Sequence, residues 1–318
     1  MAYAGNVLRR AKARLEQARQ NAAEESERRI RDIYSRQPRL AELDRAMRTT
    51  VAEAVTAAFR TGEDPSAAIA AAREKNLALQ QERSWLLQVN ELEESDLEPD
   101  VVCPHCGGTG YVGERMCECL RELCRQEQKK ELSRLLAGRE TFDGFRTDYY
   151  PVTDENGSPA RRIMEKNRDR CMAYARDFRL GAPSLLFSGA PGLGKTFLSA
   201  CIARQVAESG FSVVYETVTT LFAEFERAKF GGEEGITEKY LLCDLLIMDD
   251  LGTEMTTQFT QSVLYQVLNT RLMNGRPTVI STNLTSEELP LRYTAAIASR
   301  LLGAFDLLPF AGEDIRQR

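Results

Sequence analysis

The segment Gly189-Ala-Pro-Gly-Leu-Gly-Lys-Thr196 has the residue types and spacing of a phosphate grip. It fits G-x-x-x-x-G-K-[ST], in which glycines let consecutive backbone N–H groups curl around an anion. Its flanks fit as well. Ser184-Leu-Leu-Phe-Ser188 is short, apolar and bounded by Pro183 and Gly189, the pattern of a buried strand. Phe197 to Ala207 reads as a helix, whose N-terminus adds the positive end of its dipole. In this arrangement Gly189, Gly192 and Gly194 shape the loop, Lys195 reaches the β- and γ-phosphates of a nucleotide, and Thr196 ligates Mg2+.

Two further strand ends carry suitable side chains. Leu245-Leu-Ile-Met-Asp249-Asp250 is an apolar run closed by two carboxylates, at a distance from the loop that suits a Walker B strand. Asp249 is predicted to hold Mg2+, through water, and Asp250 to polarise an attacking water. Aspartate is one methylene shorter than the glutamate common at such a position, so the water must sit closer or hydrolysis must be slower. Thr278-Val-Ile-Ser-Thr-Asn283 is a second apolar strand, and Asn283 is placed to orient that water. Asparagine after a strand is also an ordinary turn residue.

The cysteines suggest a different chemistry. Five of the eight fall between Cys103 and Cys124. Cys103-Pro-His-Cys106 is C-x-x-C followed by glycines, and Cys117-Glu-Cys119 is C-x-C. A short hairpin through residues 107–113 would bring the pairs together. Cys103, Cys106, Cys117 and Cys119 are therefore predicted to hold Zn2+ in a closed, structural tetrahedron. Cys124 is a substitute for one of them, because C-x-C is the tighter bite. His105, the only histidine, sits inside the first pair and is expected to point outward. A redox dithiol or free thiols are the alternatives.

These sites need elements to position them. Strand patterns at 184–188, 212–217, 244–249, 278–282 and 306–310 alternate with helical patterns, which predicts a parallel sheet covered on both faces. Residues 1–98 are rich in good helix formers, broken at Pro38 and at Asp64-Pro65. Leu40, Leu43, Met47, Val51, Val55 and Phe59 share one helix face, and a further helix carries Ile69, Leu79, Trp85 and Leu86. These helices are either a subdomain packed on its own chain or a partner-binding arm. The few large apolar groups in residues 1–37 favour the arm. The acidic run 91–100 reads as a solvated linker or helix end, and 121–140 as a connecting helix.

The chain has 318 residues, 43% hydrophobic and 28% charged, with a net charge of −5. That describes a globular protein with no global polycation, which leaves room for a local basic groove. No apolar run matches a membrane span and the first ten residues lack a signal-peptide core, so a cytoplasmic protein with no membrane partner is expected.

The order GAPGLGKT, LLIMDDLGTE, STNL and SRLLGAFDLLPFAGEDIR, over roughly residues 140–318, resembles the AAA+ helicase loaders of the DnaC/DnaI type and their IstB-type transposition relatives. The helical zone and cysteine cluster resemble the DnaI layout. The resemblance implies an α/β fold, an AAA+ P-loop ATPase domain with a parallel five-stranded sheet and a reduced or absent C-terminal lid. A helical partner-binding region (1–98), a zinc module (99–125) and a linker (126–150) precede the ATPase domain (151–318). Phe142 and Phe145 resemble the aromatic linker that enters that domain. The resemblance also implies Arg300 as an arginine finger acting on ATP in a neighbouring subunit, and Arg316 as a sensor 2 contacting phosphate in its own. It implies ATP as cofactor, slow hydrolysis stimulated by assembly or DNA, and self-assembly through the ATPase domains. The implied partners are a replicative hexameric helicase and single-stranded DNA, with Arg227 and the segment Lys229-Phe-Gly-Gly232 as DNA-contact candidates, a flexible loop with a buried Phe being the equal alternative for that segment. The alternative is an IstB-type ATPase acting on target DNA.

Overall fold

A computed structural model describes residues 3–61, 65–135, 140–154, 157–231 and 235–317. Among them the chain forms two compact units, Met1–Ala13 with Glu118–Arg318, and Arg14–Cys117.

The first unit is built on a five-stranded sheet: β3 (Ser184–Ser188), β4 (Val213–Thr217), β5 (Leu245–Leu251), β6 (Thr278–Thr282) and β7 (Phe305–Pro309). They are numbered after a small hairpin, β1 (Tyr111–Val112) and β2 (Arg115–Met116). The order is β4-β5-β6-β3-β7 and every pairing is parallel. Parallel strands need crossover helices, and these cover both faces. Alternation along the strands divides the core in two. Leu185, Phe187, Val213, Leu245, Ile247 and Val279 face α5 (Ala160–Arg176) and α6 (Lys195–Glu208). Leu186, Val214, Leu246, Met248 and Ile280 face α7 (Val218–Gly231), α9 (Gln258–Met273) and α11 (Ala295–Ala304). Short helices α8 (Glu238–Leu242) and α10 (Leu289–Arg292) lie between these. Full burial of each Leu, Ile or Phe is worth about 1.5–3 kcal/mol, so this two-sided core fixes the strand register. The five expected strands match to within two residues.

Edge strand β4 is covered. On α4 (Glu118–Leu135), Gln128 donates from Nε2 to the Phe211 carbonyl at 2.9 Å and accepts the Val213 N–H at 3.0 Å. That satisfies backbone groups an exposed edge would leave open. The first turns of α1 (Gly5–Arg36) also belong to this unit, where Tyr3, Val7 and Ala11 are buried. Asn6 donates to Glu131 at 2.6 Å, and Arg10 pairs with Glu127 at 3.2 Å and with Glu131. So Tyr3, Val7 and Ala11, spaced by fours, pack the first turns of the segment whose composition suggested a partner-binding arm.

In the second unit α2 (Pro38–Thr61) packs along α3 (Pro65–Val89), burying Leu40, Leu43, Ala72 and Leu87. Met47 is half-buried; the side chains of Val51, Val55, Phe59 and Ile69 lie outside the described residues. Trp85 is exposed, because Leu87 takes the inward position. Arg83 bridges Asp44 and Glu94, each at 2.6 Å. The acidic run is exposed, as a linker would be, yet it is tied down. Arg29 donates to Asp100 at 2.7 Å and to the carbonyls of Asp96 and Glu98 at 3.1 and 2.8 Å.

Candidate functional site

Three strand ends and one loop converge on a cavity of about 320 Å³ lined by Gly192, Gly194, Lys195, Thr196, Asp250, Asn283 and Arg316. The loop between β3 and α6 forms its floor. Gly194, at φ +83°, caps α6 in the left-handed region, where a side chain is strained. A Cβ there would also lie 2.8 Å from the Phe145 ring and 2.9 Å from the Tyr150 hydroxyl. Tyr150 donates to the Leu193 carbonyl at 2.9 Å, and Phe145 packs against Tyr150 and Phe197. The aromatic segment that enters the sheet unit therefore buttresses the loop from below.

Lys195 is buried, and its Nζ donates to the Gly189 and Ala190 carbonyls and to Asn283 Oδ1 at 2.7, 2.8 and 2.7 Å. Burial lowers its pKa, while Asp250 and Asp249 pull it back up. A cation held by neutral carbonyls and an amide is poised to exchange them for phosphate oxygens, a stronger, charge-assisted partnership. Thr196 is exposed at the first turn of α6.

The adjacent carboxylates separate sharply. Asp249 is buried; Tyr215 donates to its Oδ2 at 2.8 Å and Ser281 to its Oδ1. Each carboxylate oxygen keeps a second lone pair, so Asp249 fits a metal held through water together with the Thr196 hydroxyl. Asp250 lines the cavity instead. Burial first, and the neighbouring Asp249 charge second, raise its pKa. The cause of the separation is a bulge in β5 between Met248 and Leu251, with Asp250 at φ +60°. The extra residue returns Leu251 to the apolar face and turns the Asp250 carboxylate to the strand end.

Arg316 reaches the same cavity and pairs with Asp314 at 2.7 Å, which holds the Asp314 carboxyl down to about 2. Asp314 lies against Gly192: a Cβ on that glycine would be 2.0 Å from Asp314 Oδ1. Arg300 is elsewhere, on α11. It stacks over Tyr265 at 4.3 Å and donates to Asn269 at 2.7 Å. Of the residues singled out in the sequence, the pocket gathers Gly192, Gly194, Lys195, Thr196, Asp250, Asn283 and Arg316, with Gly189 and Asp249 just behind it. Sequence reading missed Tyr150, Tyr215, Ser281 and Asp314. Only Asp314 left a signal, two residues before Arg316.

The cysteines form a second centre. Cys103, Cys106, Cys117 and Cys119 bring their sulfurs within 4.8 Å of one another, with Cys103 and Cys117 3.8 Å apart. Zinc–sulfur bonds of about 2.3 Å in a tetrahedron require sulfurs about 3.8 Å apart, so the set fits Zn2+. Cys117 N–H donates to the Gly110 carbonyl at 2.8 Å, closing the expected hairpin, and Gly110 N–H donates to Cys106 Sγ at 3.3 Å. Cys124 is outside the set; it is buried, and burial raises its thiol to about 11. The DNA-contact candidates lie on the last turns of α7. Phe230 is 73% exposed, with Lys229 over its ring at 5.3 Å and over Phe259 at 5.2 Å. Arg227 pairs with Glu224 at 3.6 Å, and Gly232 lies outside the described residues. Among the described residues no helix is long and apolar enough to cross a membrane.

Sheet order, phosphate loop and paired strand-end acids define a P-loop protein of the AAA+ class. The IstB-like ATP binding protein family matches residues 155–318. The chain belongs to that family, and its AAA+ region is of the DnaC type. It is 27% identical over 202 residues to the replicative helicase loader DnaC of Buchnera aphidicola subsp. Baizongia pistaciae, covering 62% of this chain and 80% of that one. The DnaC of Buchnera aphidicola subsp. Acyrthosiphon pisum is 25% identical over 204 residues, covering 61% and 80%. The crystal structure of the DnaC helicase loader matches at 20% identity with a TM-score of 0.45, over 52% of this chain and 100% of that one.

Proposed function

We propose that the protein is an ATP-hydrolysing loader that binds a replicative hexameric helicase and helps place it on single-stranded DNA. The similarity over 80% of the length of proteins named replicative helicase loader carries this reading. The pocket supports the chemistry. ATP phosphates take the place of the Lys195 carbonyl partners and draw Arg316 from Asp314. Asn283, released from Lys195, orients a water, and Asp250 accepts its proton; the raised pKa suits that task. Thr196, and Asp249 through water, would hold a Mg2+ ion, which would supply positive charge against the phosphates. Arg300 lies outside its own pocket, which supports a role at the ATP of a neighbouring subunit, with hydrolysis stimulated by assembly. Lys229 and Phe230 offer a cation and a stacking ring to a single strand. The helical region and zinc module grip the helicase, and the site of action is the cytoplasm.

The test is to mix the full chain with the replicative helicase of its source, with ATP, ADP or neither, and measure complex mass by light scattering. A complex lost on deleting residues 1–125 is expected. The family match itself favours a second reading, an IstB-type ATPase acting on target DNA. Absence of a complex together with tight duplex binding would select it.

A further inference from the structure

A buried carboxylate is costly unless it is held. Glu254, in the turn after β5, is 7% exposed and does not line the nucleotide cavity. Its Oε2 accepts the Gly252 N–H at 2.8 Å, and its Oε1 accepts the Tyr293 hydroxyl at 2.5 Å. Arg292 donates to the carbonyl of Glu254 at 2.6 Å. Burial and the hydrogen bond to Glu254 both raise the pKa of Tyr293, so its hydroxyl stays protonated and donates.

The residues between Asp250 and Glu254 form one knotted turn. Thr253 donates its N–H and its hydroxyl to the Asp250 carbonyl, at 3.3 and 2.9 Å. Asp250 N–H donates to Ser281 Oγ at 2.9 Å, and the Thr282 hydroxyl donates to the Leu251 carbonyl at 2.7 Å. A non-glycine residue in the left-handed region persists only where its surroundings over-determine it. Asp250 is such a residue, and Glu254 closes the turn that holds it. At the other end of the contact, Tyr293 stands directly before Thr294, which caps α11, the helix that carries Arg300.

We propose that Glu254 is a positioning residue that sets the aim of Asp250 and ties it, through Tyr293, to the helix bearing Arg300. The carboxylate acting in one subunit's site and the arginine offered to the next then move as one body. This rests on the ATPase reading above, so hydrolysis by the wild-type chain and its loss in Lys195→Ala are measured first. No hydrolysis at that stage counts against the ATPase reading and not against Glu254.

The variants are Glu254→Ala, Tyr293→Phe and their combination, in the full chain. Nucleotide affinity, kcat and melting temperature are recorded for each. Glu254→Ala is expected to lower kcat about 30-fold or more with affinity within about twofold, the split expected of a group acting on the transition state alone. Tyr293→Phe removes one oxygen and is expected to lower kcat about 3–10-fold, again with unchanged affinity. The double variant should fall no further than Glu254→Ala, since the two residues act as a unit. A folded Glu254→Ala protein with wild-type kcat overturns the proposal. So does a fall in affinity by the same factor as kcat, which is what general loosening produces. If Glu254→Ala does not fold, Tyr293→Phe decides: reduced kcat at unchanged affinity supports the link, and wild-type kcat overturns it.

Discussion

Two glycine-rich turns in this chain have opposite charge logic. At the P-loop, Gly194 opens a helix, and a buried lysine waits among carbonyls for an anion. At the cysteine hairpin, Gly110 offers its N–H to Cys106 Sγ, and four sulfurs converge on a place for a cation. Glycine supplies the bend in both, and the neighbouring side chains decide what the bend binds. Their support differs as well. The P-loop stands on strands whose inward residues are fully buried and is braced by Phe145 and Tyr150. Around the hairpin, Val101, Val102 and Val112 are exposed. A turn with so little apolar cover would draw its order from a bound metal, whereas the P-loop keeps its shape through packing.

The comparison breaks most visibly on metal removal. Structural zinc is worth about 10–16 kcal/mol, so a strong chelator, or Cys117→Ser, should abolish zinc content and hydrogen-exchange protection around residues 103–119. ATP affinity should stay within about threefold. Loss of ATP binding on chelation would show that the two regions are one cooperative structure. The converse is Lys195→Ala, expected to weaken ATP binding about 100-fold or more while one zinc per chain remains by metal analysis. Arg300→Ala should leave binding intact and lower stimulated hydrolysis about 10³-fold; retained hydrolysis would exclude the finger.

Smaller effects sharpen the contrast between Asp249 and Asp250. Asp250→Asn should lower kcat about 100-fold with binding unchanged. Its pKa is raised on folding, so the native state binds protons more tightly than the unfolded one. By linkage its contribution to stability falls as pH rises from the unfolded to the folded pKa, and at neutral pH the charge opposes folding. Asparagine carries no charge and tolerates the left-handed backbone, so nucleotide-free Asp250→Asn should melt about 1–3 °C higher at pH 7.5 and lose that advantage below the ordinary carboxylate range. Hydrolysis by the wild type should fail on acidification at a pH above that same range.

Much of this protein is legible in its sequence, because the signals are local. The strands are short apolar runs, the phosphate loop is a contiguous octapeptide, and the ligand pairs are two residues or three apart. Chain connectivity alone puts Lys195 beside its glycines and Cys103 beside Cys106. Other features depended on tertiary structure. Tyr215 and Ser281 hold Asp249 only because β4, β5 and β6 are neighbours. The burial of Tyr3 and Val7 and the exposure of Trp85 follow from which helix faces found partners. Asp249 and Asp250 are chemically identical neighbours, and their order at the strand end assigns them different roles without showing the backbone turn that separates them. The bulge that buries one and turns the other toward the cavity is set in the pairing with β6, where Asp250 N–H meets Ser281, a contact between residues far apart in the chain.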